Sequence, residues 1–173
     1  LFLPDVPEMY PNGMDTLPHY DLGPVEEKLE GQFRPGHFQG VAIIVHKLLN
    51  AVQPHDLYMG QKDYQQCLIV KELIDRNGID TQLHIVPIKR AADGLALSSR
   101  NMRLTEGERQ LANLLYQCLV SIQAQNGNKP FAVVQKECWD ILERKGITPE
   151  YILLCNADTL DTIEEYDSHQ PMI

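Results

Sequence analysis

Between residues 86 and 101 the chain reads VPIKRAADGLALSSRN. This places Lys89, Arg90, a turn glycine at Gly94, and then Leu97, Ser98, Ser99 and Arg100 in one short stretch. Two hydroxyls followed by a guanidinium are groups that ligate phosphate oxygens, the arginine by charge-assisted and often bidentate bonds. A second polar cluster, GQKDYQQ at residues 60–66, holds Gly60, Gln61, Lys62, Asp63 and Gln66. It lies where a strand pattern gives way to a helical one, and there free backbone N–H groups and the positive end of the helix dipole favour an anion. Lys62 adds a full charge, and Gly60 lets a ligand approach the backbone. Gln66, one turn into that helix, can donate to a carboxylate and accept from a hydroxyl. The plainer alternatives are a solvated turn before a capped helix at residues 60–63 and a helix cap at SSRN. Thr105 is the better cap for the next helix, which leaves the serines without a structural duty.

The elements that must position these groups follow from periodicity and punctuation. Residues 56–60 and 82–86 read as strands. The helix between them opens at Asp63, with Gln66 three residues on completing a capping-box pattern, and ends at Asn77-Gly78. Strand, helix and strand within about thirty residues form a βαβ unit with parallel strands and a right-handed crossover. In open α/β sheets ligands sit at the carboxyl ends of the strands, so residues 60–63 and 87–90 fall at one rim. Lys62 and Arg100 are expected to border one cleft. The Asp93-Gly94 turn makes the preceding loop a candidate lid.

Upstream, residues 1–3 read as a short buried strand, and a stretch containing Pro7, Pro11, Asn12-Gly13, Pro18 and Pro24 reads as loop. EGQFRPGHFQG, residues 30–40, is read as another loop, with Glu30 and Arg34 as candidate gate residues. Val41, Ile44, Val45, Leu48, Leu49 and Val52 then recur at helical spacing until Gln53-Pro54. Downstream, Thr105 and Glu108 form a capping box for a helix with Leu111, Leu114, Leu115, Cys118, Leu119 and Ile122 on one face. Gly127 ends it, Pro130 opens the next helix, and residues 151–155 read as a strand. The fold expected is α/β. Residues 1–95 form the second half of a Rossmann-like nucleotide-binding domain, and residues 96–173 a small, incomplete α+β domain.

Composition narrows the function. In 173 residues with 43% apolar and 23% charged side chains there is enough sequence for a real core. A net charge of −9 disfavours a nucleic-acid surface, which needs clustered Lys and Arg. The four cysteines form no CxxC pair, and His19, His46, His55, His84 and His169 show no ligand spacing, so no protein-bound metal site is expected. No apolar run reaches the roughly 18 residues of a membrane span, and no signal peptide opens the sequence, so a cytoplasmic location is expected. The sequence starts without Met in LFLP and stops on Pro171-Met172-Ile173, and it is read as a fragment.

LFLPDVPEMYPNG, LEGQFRPGHFQGV, GQKDYQQ, VPIKRAADGLALSSRN and NADTL occur in that order, and together they resemble the pantothenate synthetase (pantoate–beta-alanine ligase) family along essentially the whole chain. The resemblance implies ATP-dependent ligation of pantoate and beta-alanine to pantothenate through a pantoyl-adenylate, releasing AMP and pyrophosphate. It implies ATP binding by Gly60, Gln61, Lys62, Asp63, Lys89, Leu97, Ser98, Ser99 and Arg100, with Lys62, Ser98, Ser99 and Arg100 on the phosphates. Gly60 and Asp63 would lie by the ribose, main-chain groups near Lys89 and Leu97 by adenine, and Gln66 on pantoate. Mg2+ dependence, a cytoplasmic setting and a homodimer are implied as well. The family's HxGH segment, the first part of its nucleotide-binding sheet and its extreme C-terminal block have no counterpart here, so the chain is expected to be inactive alone. Gln61 stands where the family usually has Glu. The alternatives are another adenylating nucleotidyltransferase and a non-catalytic dimerisation module.

Overall fold

The computed structural model describes residues 2–14 and 17–173. The chain divides into two compact units, Leu1–Pro87 and Ile88–Ile173. Residues 88–95, grouped with the first domain in the sequence reading, belong to the second unit. Their side chains and backbone pack on a helix of that unit, as described below.

In the first unit the helices are α1 (Val6–Met9), α2 (Glu30–Phe33), α3 (His37–Val52) and α4 (Tyr64–Asn77), with strands β1 (Asp56–Gly60) and β2 (Gln82–Val86). The strands pair in parallel from Asp56↔Gln82 to Gly60↔Val86, with α4 as the crossover between them. Strand ends and crossover fall as expected, because each rests on a local signal. Gly78 adopts the left-handed conformation that ends α4 (φ 60°). The buried Thr81 hydroxyl donates to the Pro54 carbonyl at 2.7 Å, which ties the entry of β2 to that of β1. Leu49, Val70 and Ile74 form the core between α3, α4 and one sheet face, with Val41, Val45, Leu57, Met59 and Leu83 packed around them. The opposite sheet face carries Tyr58, which is 64% exposed and stacks on His84.

Several expectations change. Residue 1 lies outside the described residues, and Phe2 and Leu3 are exposed and form no strand. The proline-rich stretch holds α1, which Asp5 and Glu8 close with a capping box. EGQFRPGHFQG is largely helical. Arg34-Pro35-Gly36 interrupts it, and Gly36 in the left-handed region (φ 76°) starts α3 at His37, earlier than the apolar repeat indicated. Phe38 and Ala42 are buried as a result, whereas Val52 is exposed. Asp63 does not cap α4 with its side chain. A 3-10 turn, Gln61–Asp63, leads into the helix instead.

The second unit is built on α5 (Glu106–Gln125) and α6 (Phe131–Arg144). Thr105 and Glu108 form the expected capping box, and backbone and hydroxyl bonds from Thr105 hold the Glu108 carboxyl below its ordinary pKa. Cys118, Val134, Cys138 and Leu142 make the core, with Leu114, Ile122, Ile147 and Ile152 around it. The apolar face expected on α5 is split. Leu114, Cys118 and Ile122 turn inward, while Leu111, Leu115 and Leu119, one row over, are exposed. Residues 151–155 form no strand. Cys155 and Asn156 make isolated bridges to Thr162 and Met172, because the Asn156 side chain and Leu160 (φ 58°) turn the chain at once. The four cysteines are buried thiols.

Candidate functional site

Gly60 ends β1 in an extended conformation, and a Cβ there would meet nothing within 4 Å. The space beside this backbone is open, as a ligand approach requires. Lys62 and Asp63 are 43% and 63% exposed, and their Nζ and Oδ1 atoms lie 3.5 Å apart. This weak contact leaves the ammonium available. The first turn of α4 receives no side-chain cap and continues from the 3-10 turn Gln61–Asp63. Cys67 fastens the turn from behind, with Sγ 3.6 Å from the Gly60 carbonyl. Burial, then the charge of Asp63, raises its thiol pKa.

Gln66 is half-buried, with its amide uncommitted among the described residues. Its neighbour Gln65 is the residue the sequence reading passed over. Only 8% exposed, Gln65 donates to the Val25 and Lys28 carbonyls at 2.9 and 2.7 Å and accepts from Glu30 N at 3.1 Å. Those bonds straddle Leu29, whose backbone (φ 42°, ψ −114°) is strained for a residue with a Cβ. Gly31 is required next to it, since a Cβ there would fall 1.9 Å from the Glu26 carbonyl oxygen. The available signal was helical phase, for Gln65, Ile69 and Leu73 recur every fourth residue on the buried side of α4. The segment so held presents Glu30 and Arg34, an exposed pair 4.0 Å apart. His37, at the start of α3, has its pKa lowered by desolvation and then by Arg34, against an opposing pull from Glu30.

In the second unit, residues 89–97 fold into a hairpin. Leu97 N donates to the Lys89 carbonyl at 2.9 Å, Ala91 N to Leu95 O at 2.8 Å, and Arg90 bridges Ala96. The main-chain groups expected to face adenine therefore already serve each other at Lys89 and Leu97. Ser98 caps the 3-10 turn Ser99–Arg103, its Oγ accepting from Arg100 N at 3.2 Å. It thus has a structural duty the sequence reading had denied it. Ser99 and Arg100 are exposed, and the side chains of Arg100 and Lys89 pair with no described residue. Asn101 anchors the turn by donating from Nδ2 to the Ala96 carbonyl at 2.9 Å. Among the described residues no three His, Cys, Asp or Glu side chains cluster as metal ligands, and no helix is long and apolar enough to cross a membrane.

Each predicted motif thus presents exposed cations within its own unit, Lys62 beside Asp63 in the first and Lys89 and Arg100 in the second. A sequence profile described as Pantoate-beta-alanine ligase matches residues 1–173. The chain belongs to the pantoate-beta-alanine ligase family. A crystal structure of pantothenate synthetase from Thermus thermophilus matches with a TM-score of 0.86 and 35% identity, covering 96% of this chain and 61% of that one. A second structure of pantoate-beta-alanine ligase from the same organism matches with a TM-score of 0.85 and 36% identity, over 95% of this chain and 60% of the other. The Francisella tularensis pantoate-beta-alanine ligase, complexed with beta-gamma ATP and beta-alanine, matches with a TM-score of 0.69 and 34% identity, over 84% and 52% of the two chains. The chain therefore spans about 60% or less of the length of these ligases. The mixed helix-and-strand architecture with a parallel sheet is the one they share with it.

Proposed function

We propose that the chain carries ATP-handling and pantoate-holding groups for the ligation of pantoate to beta-alanine. The observation that carries this reading is a set of exposed, lightly paired cations in the two motifs. The Arg100 and Lys89 side chains have no partner among the described residues, and Lys62 makes only a 3.5 Å contact to an exposed carboxylate. The ATP analogue and beta-alanine bound to the Francisella relative support the choice of ligands.

In this mechanism a pantoate carboxylate oxygen attacks the α-phosphorus of ATP. A P–O bond forms, the bond to the bridging oxygen breaks, and pyrophosphate leaves with the electron pair. The beta-alanine amine then attacks the acyl carbon of pantoyl-adenylate. The C–N bond forms, AMP departs with the C–O electron pair, and the nitrogen gives up a proton. Lys62, Ser98, Ser99 and Arg100 hold phosphate oxygens and offset charge on the leaving pyrophosphate by fixed position and electrostatics. Gly60 and Asp63 line the ribose side, Gln61 also binds ATP, main-chain groups near Lys89 and Leu97 meet the base, and Gln66 binds pantoate, while Glu30 and Arg34 act as a gate. The resemblance also carries Mg2+, a homodimer and a cytoplasmic setting. Among the described residues no three His, Cys, Asp or Glu side chains cluster to hold the metal.

The test is pyrophosphate release that requires both ATP and pantoate. The assay compares this chain alone with the same chain combined with an HxGH-bearing segment of a family member. Activity is expected only in the combination, and Lys62→Ala or Arg100→Ala should lower it roughly a hundredfold. Gln66→Ala should raise the pantoate requirement far more than the ATP requirement, and an equal effect on both would remove Gln66 from the pantoate site. Release driven by a different acid would point to another adenylating transferase. Failure to bind ATP in either form would favour a non-catalytic module.

A further inference from the structure

We infer that Tyr116, on α5, is a positioning residue for the Ser98-Ser99-Arg100 loop, an inference that rests on the ATP reading above. No sequence motif points to Tyr116. It lies on the outer side of α5, away from the core made by Cys118. The Arg90 guanidinium carbon sits 4.1 Å from the centre of its ring, within cation–π range. The same guanidinium reaches across the turn, with Nη1 donating to the Gly94 carbonyl at 3.2 Å.

Gly94 packs flat on the ring. It holds φ 90°, and a Cβ built there would lie 2.3 Å from Tyr116 Cδ1 and 3.2 Å from Asn113 Oδ1. That Asn113 oxygen is itself buried without a hydrogen-bond partner, under the turn. A third tie lies beside these, for Arg109 Nη2 pairs with Asp93 Oδ2 at 2.9 Å. Arg90, Asp93, Gly94, Asn113 and Tyr116 line a cleft of about 470 Å³ between the hairpin tip and α5.

The connection to the phosphate loop is short and covalent. The hairpin closes with Leu97 N on the Lys89 carbonyl, and the next three residues are Ser98, Ser99 and Arg100. Asn101 returns to the Ala96 carbonyl, so the 3-10 turn hangs from the base of the hairpin. Arg100 N donates to Ser98 Oγ within the turn, and the Arg100 side chain has no partner among the described residues. Where the Arg100 backbone sits is therefore set by the hairpin, and where the hairpin sits is set by a ring and an ion pair on α5. A flexible loop would have to order itself on binding a triphosphate, whereas one already leaned on Tyr116 does not.

The experiment uses the 173-residue chain in Tyr116→Ala, Tyr116→Phe, Arg100→Ala and Val134→Ala forms. Amide hydrogen exchange is read at Ala91, Gly94 and Leu97, and ATP affinity is read alone and in combination with the HxGH-bearing segment. Tyr116→Ala should speed exchange at those three amides roughly tenfold and weaken ATP binding by a similar factor, the size expected from one lost ring–guanidinium contact. Tyr116→Phe, which keeps the ring, should restore both. Val134→Ala, a core truncation, should lower the melting temperature without singling out the hairpin amides. Unchanged hairpin exchange in Tyr116→Ala overturns the inference whatever ATP does. Faster exchange with ATP affinity intact, while Arg100→Ala loses it, overturns the positioning role and leaves the ATP reading standing. If Arg100→Ala binds ATP as well as the parent chain, the ATP reading of this loop fails, and the inference falls with it.

Discussion

The two motifs proposed to meet phosphate are held by opposite means. Residues 60–66 stand on α4, where Cys67, Ile69, Val70 and Leu73 are fully buried and Cys67 reaches back to the Gly60 carbonyl. Residues 97–100 follow a surface hairpin that rests on Tyr116 and Arg109 through a ring face and an exposed ion pair. The first motif inherits its position from the core, so it can loosen only as far as the unit unfolds. The second can open locally while α5 and α6 stay packed. The first motif is rigid, and the second adjustable.

The sharpest way to break this contrast is to weaken the core under the first motif. Leu73→Ala, at a site with no exposure, should cost about 2–5 kcal/mol in urea unfolding. Its loss should be shared by every amide from β1 to β2. If only residues 60–66 loosened, that motif would be as local as the other.

Gln65→Leu comes next. It removes the partner of the Val25 and Lys28 carbonyls and of Glu30 N, and each buried group left unpaired costs about 1–3 kcal/mol. Proteolysis should then find the segment around Leu29 first, while the residue 60–63 turn keeps its structure. Gln65→Glu should fail to rescue, since a carboxylate cannot donate to two carbonyls.

A smaller, pH-dependent effect belongs to the second unit. Burial, reinforced by Cys118, pushes the Cys138 thiol up to about 12. A group raised above its unfolded value of 9.0 stabilises the fold fully below pH 9, and that contribution is lost as pH rises toward 12. Unfolding of the second unit should therefore become easier across this window, and Cys138→Ala should flatten the dependence. A flat profile in the parent chain would show the thiol less buried than described. The smallest effect on folding is Arg100→Ala, an exposed change worth within about 0.5 kcal/mol, so any loss of ATP affinity can be read directly.

Much of the first unit was legible because its signals act over a few residues. Asn77-Gly78 stops α4 by left-handed backbone, and the alternating burial of residues 56–60 matches a pleated strand. Thr105 and Glu108 satisfy each other three residues apart, so their capping box was readable in the same way. Asp63 and Gln66 have the same spacing, yet the chain enters α4 through a 3-10 turn and the box does not form. Residues 151–155 had strand-like composition, but a strand needs a partner of equal length. The turn at Asn156 supplies only isolated bridges.

The sequence by itself determined the family, the residue types that can meet phosphate, and the limits of β1, α4, β2 and the start of α5, because motif order and local hydrogen bonding are written along one short stretch at a time. Only the tertiary structure decided what holds those residues still. Gln65 bonds Val25, Lys28 and Glu30 across thirty-five to forty positions. Tyr116 receives Arg90 and Gly94 from another element, and α5 turns one of its two apolar rows to α6 while leaving the other exposed. Such choices depend on which surface folds against which, and a periodic pattern records that a face is apolar without recording what comes to cover it.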